Sequence, residues 1–248
     1  ALLARNLGAP LWETDVNITR DGRLILFHDP TLERCTDVCE KFPDRDSYRV
    51  RDFTLGEIQE LDSGSYFIAT DPFDQIRKGR ISPELLAGFR GERVPTLVQG
   101  LDLVKDLDWA VNLELKHFPP ESSANPDPGF ILPDLTLKAV NESGIDTDRV
   151  CISSFHHDWL VHIRNAAPHI AVQALIGEDG CDRLDFSDLC FDTYNANASL
   201  ITPEQIADLR SLGISVNLFT VNDPETFHRF SALGVDGIFT DFPQRFTG

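Results

Sequence analysis

Two segments of this chain place charged side chains at alternate positions within apolar sequence. Glu13 and Asp15 belong to residues 11–19, and Glu114 and Lys116 share a later apolar run. Alternate residues of a strand point the same way, so each pair shares one face. Three carboxylates that converge in an apolar setting require a compensating cation, and oxygen ligands favour Mg²⁺ or Ca²⁺. The alternative is that each acid is a surface charge or half of a salt bridge, such as Glu114 with Lys116.

A histidine follows the first acidic segment across a predicted hairpin. An Asp-Gly turn signal at 21–22 separates residues 11–19 from residues 24–28, and the second run ends in His28. An imidazole at this place could donate or accept a proton at neutral pH, as general acid–base catalysis requires. A lone histidine is more often structural, and its position directly after Glu13 and Asp15 is what favours the catalytic interpretation.

The elements that must position these residues alternate between strands and helices, an order typical of parallel βαβ units. A (β/α)₈ TIM barrel needs eight strands, each followed by a helix, and the sequence opens on what reads as the end of a helix. We therefore expect a barrel whose first strand is missing from this chain and lies ahead of Ala1. A doubly wound sheet is the alternative, but the sequence has no glycine-rich nucleotide turn. The seven predicted core strands are 11–16, 110–115, 150–154, 171–176, 189–193, 215–221 and 237–240.

The charge balance narrows the range of partners. The 248 residues include 22 Lys and Arg against 40 Asp and Glu, a formal charge of −18. Nucleic acid and anionic membrane surfaces are therefore unfavourable partners, because both bind through clustered basic residues. No apolar run is long enough to predict a membrane span. Among the five cysteines, Cys35 and Cys39 could pair or could be small core residues, so the redox compartment stays open.

The motifs together resemble one known family, the glycerophosphodiester phosphodiesterases. Glu13-x-Asp15-Val16 and His28-Asp29-x-x-Leu32-x-Arg34 are similar to its motifs. So are five later runs, and the resemblance extends in order from Ala1 to Pro243. Residues 36–58 look especially like the periplasmic bacterial branch. The later runs are Pro95-Thr96-Leu97, Leu113-Glu114-Leu115-Lys116, Ser153-Ser154-Phe155, Thr220-Val221-Asn222 and Val235-Asp236-Gly237-Ile238-Phe239-Thr240-Asp241.

The resemblance implies a specific reaction and a specific set of residues. It implies a single barrel domain over residues 1–248, with a small insertion after the second strand at residues 38–94. It also implies metal-dependent hydrolysis of glycerophosphodiesters to sn-glycerol 3-phosphate and an alcohol, through a cyclic phosphate. One divalent cation, Ca²⁺ or Mg²⁺, would be the cofactor, and a small-molecule diester the partner. The residues that match are Glu13, Asp15 and Glu114 as metal ligands, His28 as a catalytic histidine, Lys116 at the phosphate, and Phe219 as the apolar wall for glycerol.

The start of the sequence departs from the family pattern. The family's first strand ends in His-Arg, so a second catalytic histidine is expected upstream of residue 1. Two further functions stay open: a phospholipase D or sphingomyelinase D-like barrel that acts on lipid, and a barrel that binds phosphoesters without turnover. The resemblance favours a periplasmic or secreted location, and a cytoplasmic one stays possible.

One other cluster could hold a metal. His156, His157 and Asp158 follow a predicted strand, with His162 and His169 further along the chain. Asp158 is a residue type that caps helices, and the segment lies at a strand-to-helix junction. We interpret the cluster as a helix start, with no metal.

Overall fold

A computed structural model describes residues 1–118, 129–178 and 180–246. Within them the chain forms ten α-helices and eight β-strands. The strands are β1 Leu11–Ile18, β2 Leu24–Leu26, β3 Ala110–Leu115, β4 Val150–Ser154, β5 Ala171–Ile176, β6 Thr193–Asn197, β7 Ser215–Phe219 and β8 Gly237–Ile238. The helices are α1 Leu2–Asn6, α2 Val38–Lys41, α3 Leu55–Ile58, α4 Ser65–Thr70, α5 Pro83–Phe89, α6 Leu97–Asp106, α7 Ile131–Ser143, α8 His157–Ala166, α9 Pro203–Ser211 and α10 Pro224–Ala232.

All eight strands belong to one sheet, in the order β2-β1-β3-β4-β5-β6-β7-β8. β1 and β2 pair antiparallel, with Val16 opposite Leu26, as the Asp-Gly turn predicts. From β3 to β8 every neighbouring pair is parallel. Parallel strands joined through helices are the α/β arrangement that the sequence predicts.

The chain divides into two compact units. The sheet unit contains Ala1–Thr14 and Asp102–Gly248, and the hairpin unit contains Asp15–Leu101. Their boundary falls inside the continuous strand β1. The hairpin unit includes the whole predicted insertion at 38–94. The prediction that residues 1–248 form a single domain stays a prediction.

Helix ends in the sheet unit follow the capping signals of the sequence. The Thr202 side chain accepts from the Gln205 N–H, and the Gln205 side chain bonds back to Thr202, so a capping box begins α9. Asp223 caps α10 through the Thr226 N–H. α7 ends at Gly144, whose φ of 63° lies in the left-handed region that glycine adopts without strain.

One strand was predicted at the wrong place. The apolar run 189–193 predicts the strand, but β6 begins where that run ends and continues through Tyr194 to Asn197. Phe191 is buried ahead of the strand, and the Tyr194 hydroxyl accepts from the Cys190 N–H, so the run packs as a connector.

A row of amide side chains crosses β5, β6 and β7, with the buried Asn195 between the half-buried Gln173 and Asn217. Asn217 Nδ2 donates to Asn195 Oδ1 at 2.8 Å, and Asn195 Nδ2 donates to Gln173 Oε1 at 2.9 Å. Asn195 is completely buried. Because buried polar groups are tolerated when they are hydrogen-bonded, this amide ladder replaces the apolar residues that strands normally place there. These polar residues also explain why the sequence of β6 lacks the apolar pattern that predicts a buried strand.

The hairpin unit has its own apolar core and a carboxylate that ties its loops together. Asp62 accepts hydrogen bonds from the N–H groups of Gly64, Ser65 and Gly91 and from the Ser65 hydroxyl, at 2.6 to 2.9 Å. Burial raises the pKa of Asp62, but these bonds outweigh it and lower the pKa to about 2. The core residues are Ile25, Phe27, Leu32, Cys35, Val38, Val50, Phe53, Ile58, Leu61 and Val94.

Candidate active site

β1 presents Glu13 and Asp15 on one face, as strand alternation predicts. Trp12 points the opposite way, and its ring stacks on Trp109 with the centroids 6.4 Å apart. The Trp109 indole donates to the Ala9 carbonyl at 2.8 Å and is almost fully buried. This apolar anchor fixes the start of β1, so the rotation of the strand and the direction of its acids are set.

β3 presents Glu114 and Lys116 in the same alternating way. Leu113 and Leu115 on either side of Glu114 are buried, so the pair projects from the other face of the strand. Lys116 Nζ lies 2.5 Å from Glu114 Oε1, and both side chains are only 12% exposed. The sequence offered this ion pair as the alternative to a metal-binding role for Glu114. The structure contains the ion pair and the acidic cluster together.

The structure brings the three acids together. Glu13, Asp15 and Glu114 each offer a carboxylate oxygen, and these oxygens all lie within 4.8 Å of one another. Across the residues that the structure describes, this is the one group of three or more acidic, histidine or cysteine side chains arranged to hold a metal ion. The donor set consists only of carboxylate oxygens, which suits a hard divalent cation. Their role as metal ligands stays a prediction.

His28 follows β2, and its backbone neighbour connects it to Asp15. The Phe27 N–H donates to the Asp15 carbonyl at 2.9 Å, so the residue before His28 pairs with the acidic part of β1. The His28 side chain is 64% exposed, and its Nδ1 lies 2.8 Å from Asp29 Oδ1. Burial raises the pKa of the Asp29 carboxyl, but hydrogen bonds from Arg34 and His28 outweigh it, and the pKa falls below its ordinary value.

Phe219 is the last residue of β7, and its ring is half-buried. It meets the Phe155 ring edge to face, with the centroids 6.0 Å apart. Phe155 directly follows β4, so two strand ends contribute to one apolar wall. The resemblance implies Phe219 for this wall and gives no role to Phe155, although Phe155 lies within one of the motifs that carry the resemblance.

A cavity of about 580 Å³ opens in the sheet unit beside the first acid. Glu13, Gln173, Asn217 and Asp241 are among its lining residues, together with both residues of β8. Its size is within the usual range for small-molecule sites. Glu114, Lys116 and Phe219 do not line it, so it reaches the acidic cluster through Glu13.

The second histidine cluster packs as a structural element. The His156 ring stacks on Trp159 and also meets His117, with the centroids 4.3 Å from the latter. His157 Nε2 pairs with the Leu175 carbonyl. The expectation that Asp158 caps α8 is wrong, because the helix begins at His157 and its N-cap is His156.

Comparisons with known proteins identify the fold and the family. A crystal structure of a Silicibacter pomeroyi protein, whose name places it among the glycerophosphoryl diester phosphodiesterases, matches with a TM-score of 0.79 at 26% identity. The match covers 98% of this chain and 84% of that one. An Oleispira antarctica phosphodiesterase in complex with the product sn-glycerol-3-phosphate matches with a TM-score of 0.72 at 22% identity, over 98% and 85% of the two chains. The fold is therefore the predicted α/β class of (β/α)₈ barrel type.

The sequence comparisons agree with the structural ones. The model of the glycerophosphoryl diester phosphodiesterase family matches residues 3–245. A glycerophosphodiester phosphodiesterase of Caldanaerobacter subterraneus is 33% identical over 243 residues, 97% of this chain and 86% of that protein. The chain belongs to the glycerophosphoryl diester phosphodiesterase family and is a phosphoric diester hydrolase. The resemblance recognised in the sequence is confirmed.

Proposed function

We propose that this chain hydrolyses glycerophosphodiesters such as glycerophosphocholine to sn-glycerol 3-phosphate and an alcohol, with one bound divalent cation. The observation that carries the proposal is the convergence of Glu13, Asp15 and Glu114 to within 4.8 Å. Family membership supports the diester as substrate. The sn-glycerol-3-phosphate bound to the Oleispira antarctica relative supports the product.

The charges at the acidic cluster fit a divalent ion. Three carboxylates and the Lys116 ammonium carry three negative charges and one positive, which leaves two negative charges. An ion of charge +2 cancels that excess and relieves the repulsion between the carboxylates. Both Ca²⁺ and Mg²⁺ satisfy this balance. When bound, the ion would supply positive charge that stabilises the phosphoryl oxygens in the transition state.

The remaining residues have separate tasks in the proposed reaction. Lys116, held by Glu114, would place an ammonium beside one phosphoryl oxygen and orient the diester. Phe219 and Phe155 would exclude water from the apolar side of the glycerol. His28 would accept a proton from the attacking hydroxyl or return one to the leaving alcohol.

The test is a turnover assay on the protein expressed from its complete gene. We expect glycerophosphocholine to yield sn-glycerol 3-phosphate, measured with glycerol-3-phosphate dehydrogenase, and EDTA to abolish the signal. Ca²⁺ or Mg²⁺ added in excess should restore it. Turnover that survives EDTA would refute the metal-dependent mechanism.

Two further arms test the alternative functions. Sphingomyelin or lysophospholipid vesicles replace glycerophosphocholine in one arm, and hydrolysis there alone would favour the lipid-acting enzyme. In the other arm, calorimetry measures binding of sn-glycerol 3-phosphate. Binding without any product from glycerophosphocholine would favour the non-catalytic barrel.

We also propose that the protein works outside the cytoplasm, as a periplasmic or secreted enzyme. The support is the similarity of residues 36–58 to the periplasmic branch. No helix among the described residues is long and apolar enough to cross a membrane. Cell fractionation followed by immunoblotting tests the location, and recovery of the protein only in the cytosol would refute it.

A further inference from the structure

The His28 imidazole contacts a carboxylate that is much less accessible than the imidazole itself. His28 is 64% exposed, whereas the Asp29 side chain is 15% exposed. Nδ1 of the ring lies 2.8 Å from Asp29 Oδ1, which is a normal hydrogen-bond distance. Nδ1 is thus held by a hydrogen bond to Asp29, whereas most of the ring is exposed to solvent.

Arg34 holds the Asp29 carboxylate with two bonds. Arg34 Nε lies 2.5 Å from Oδ2, and Nη2 lies 2.6 Å from Oδ1. This two-point geometry fixes the plane of the carboxylate as well as its position. The backbone of Asp29 is held too, because the Asn17 amide donates to its carbonyl at 3.2 Å. Asn17 is buried on β1, so the position of Asp29 is fixed by the strand next to it.

We call the Arg34–Asp29 pair the clamp on His28. The clamp determines which nitrogen of the His28 ring carries the proton. An ionised carboxylate can only accept hydrogen bonds, so the bond to Asp29 requires a proton on Nδ1. Nε2 of the neutral ring then has its lone pair available. Within the described residues, His28 Nε2 has no hydrogen-bond partner in the protein. The ring is therefore ready to exchange a proton at Nε2.

We propose that Asp29 is a positioning residue, locked by Arg34, that holds His28 with Nδ1 protonated and Nε2 as the reacting nitrogen. The inference rests on the proposed function and assigns a task to two residues outside the predicted site. When Nε2 takes the proton of the attacking hydroxyl, the ring becomes an imidazolium and keeps its Nδ1–H bond to Asp29. The carboxylate charge stabilises that cation. The attacking oxygen bonds to phosphorus as the bond from phosphorus to the leaving alcohol breaks, and the alcohol takes the proton from Nε2, which returns the ring to its neutral form.

The kinetic test compares Asp29→Asn and Arg34→Lys with a matched control. Arg77→Lys is the control, because Arg77 forms a surface ion pair with Asp74 in the same unit. We expect Asp29→Asn to lower kcat about 10- to 100-fold with KM changed less than about threefold, since the asparagine amide stabilises neither the correct tautomer nor the cation. Arg34→Lys should lower kcat about 3- to 10-fold, because lysine cannot form the two-point contact. Arg77→Lys should retain wild-type kinetics.

A second measurement does not depend on turnover. Nitrogen-15 NMR distinguishes the two neutral tautomers, and the His28→Gln spectrum identifies the His28 signals among the seven histidines. We expect the Nδ1–H tautomer in the wild-type protein and a mixture of tautomers in Asp29→Asn. If no diester is hydrolysed, the proposed function fails, whereas the NMR result still tests the clamp. A wild-type Nε2–H tautomer, an unchanged kcat in folded Asp29→Asn, or an effect on KM alone would each overturn the inference.

Discussion

Asp15→Asn tests the proposed metal site through its effect on the stability of the protein with and without metal. The substitution removes one negative charge and keeps the shape of the side chain. The Asp15 carboxylate has two acidic neighbours, Glu13 and Glu114, with ligand oxygens within 4.8 Å. Two unit charges at that distance repel each other by about 3.5 kcal/mol at an effective dielectric constant of about 20, and by about 0.9 kcal/mol in water. The Lys116 ammonium offsets part of this repulsion in the folded protein.

The expected sign is opposite in the metal-free and metal-bound states. Without metal, Asp15→Asn should raise the free energy of unfolding by about 1–3 kcal/mol, which corresponds to a rise in Tm of about 2–8 °C. With metal, the lost carboxylate should weaken cation binding about tenfold or more, equivalent to about 1.4 kcal/mol. The stabilisation that Ca²⁺ or Mg²⁺ gives the wild-type protein should therefore shrink in the variant.

Differential scanning calorimetry in EDTA and in excess Ca²⁺ or Mg²⁺ measures both effects. Asp102→Asn provides the matched control, since Asp102 is exposed on α6 and outside the cluster, and its Tm should follow the wild type under both conditions. A lower Tm of Asp15→Asn in EDTA, or a wild-type response to the cations, would refute the assignment of Asp15 as a ligand in a repulsive cluster.

Three further predictions concern catalysis, acid stability and packing. His28→Ala should lower kcat for glycerophosphocholine by at least about 100-fold, and unchanged turnover would exclude His28 from the mechanism. The pKa of Asp62 is lowered to about 2 in the folded protein, so its stabilisation is fully present above the unfolded pKa and is lost as the pH falls through about 2. Urea unfolding should show Asp62→Asn less stable than the wild type by about 1–2 kcal/mol at pH 7, and this difference should narrow between about pH 4 and pH 2. A difference that stays constant with pH would contradict the link between the lowered pKa of Asp62 and stability. Gly237→Ala would place a Cβ 2.5 Å from Oδ1 of Asn217, whose amide is held by its hydrogen bond to Asn195, and should cost about 1–3 kcal/mol in thermal unfolding. Gly56→Ala, whose Cβ has its nearest atom at 3.9 Å, should not destabilise, and equal effects of the two substitutions would refute the steric argument.

The acidic cluster could be predicted from the sequence because strand alternation is a local rule. Glu13 and Asp15 share a face wherever β1 lies, and the apolar neighbours of Glu114 identify β3 equally well. The bounds of β3, β4 and β5 agree with the predicted ranges for the same reason, since short apolar runs between turn signals define them. Local patterns were sufficient for these elements.

The clamp on Asp29 could not be predicted in this way. Arg34 follows Asp29 by five residues in a segment without regular structure, so no periodicity places the guanidinium against the carboxylate. α4 and α5 were also missed, because helices of six and seven residues carry too few apolar positions to show a period. They depend on tertiary contacts, such as the edge-to-face packing of Phe67 on Phe89.

The amide ladder has a consequence for any redesign of the protein interior. Asn195 is completely buried, accepts a hydrogen bond from Asn217 and donates one to Gln173, so leucine at either neighbouring position would leave a polar group of Asn195 unpaired inside the protein. Single leucine substitutions at Gln173 or Asn217 would therefore destabilise the protein even if leucine at all three positions packed well. A mutant library designed to stabilise this part of the protein must therefore vary the three amide residues together.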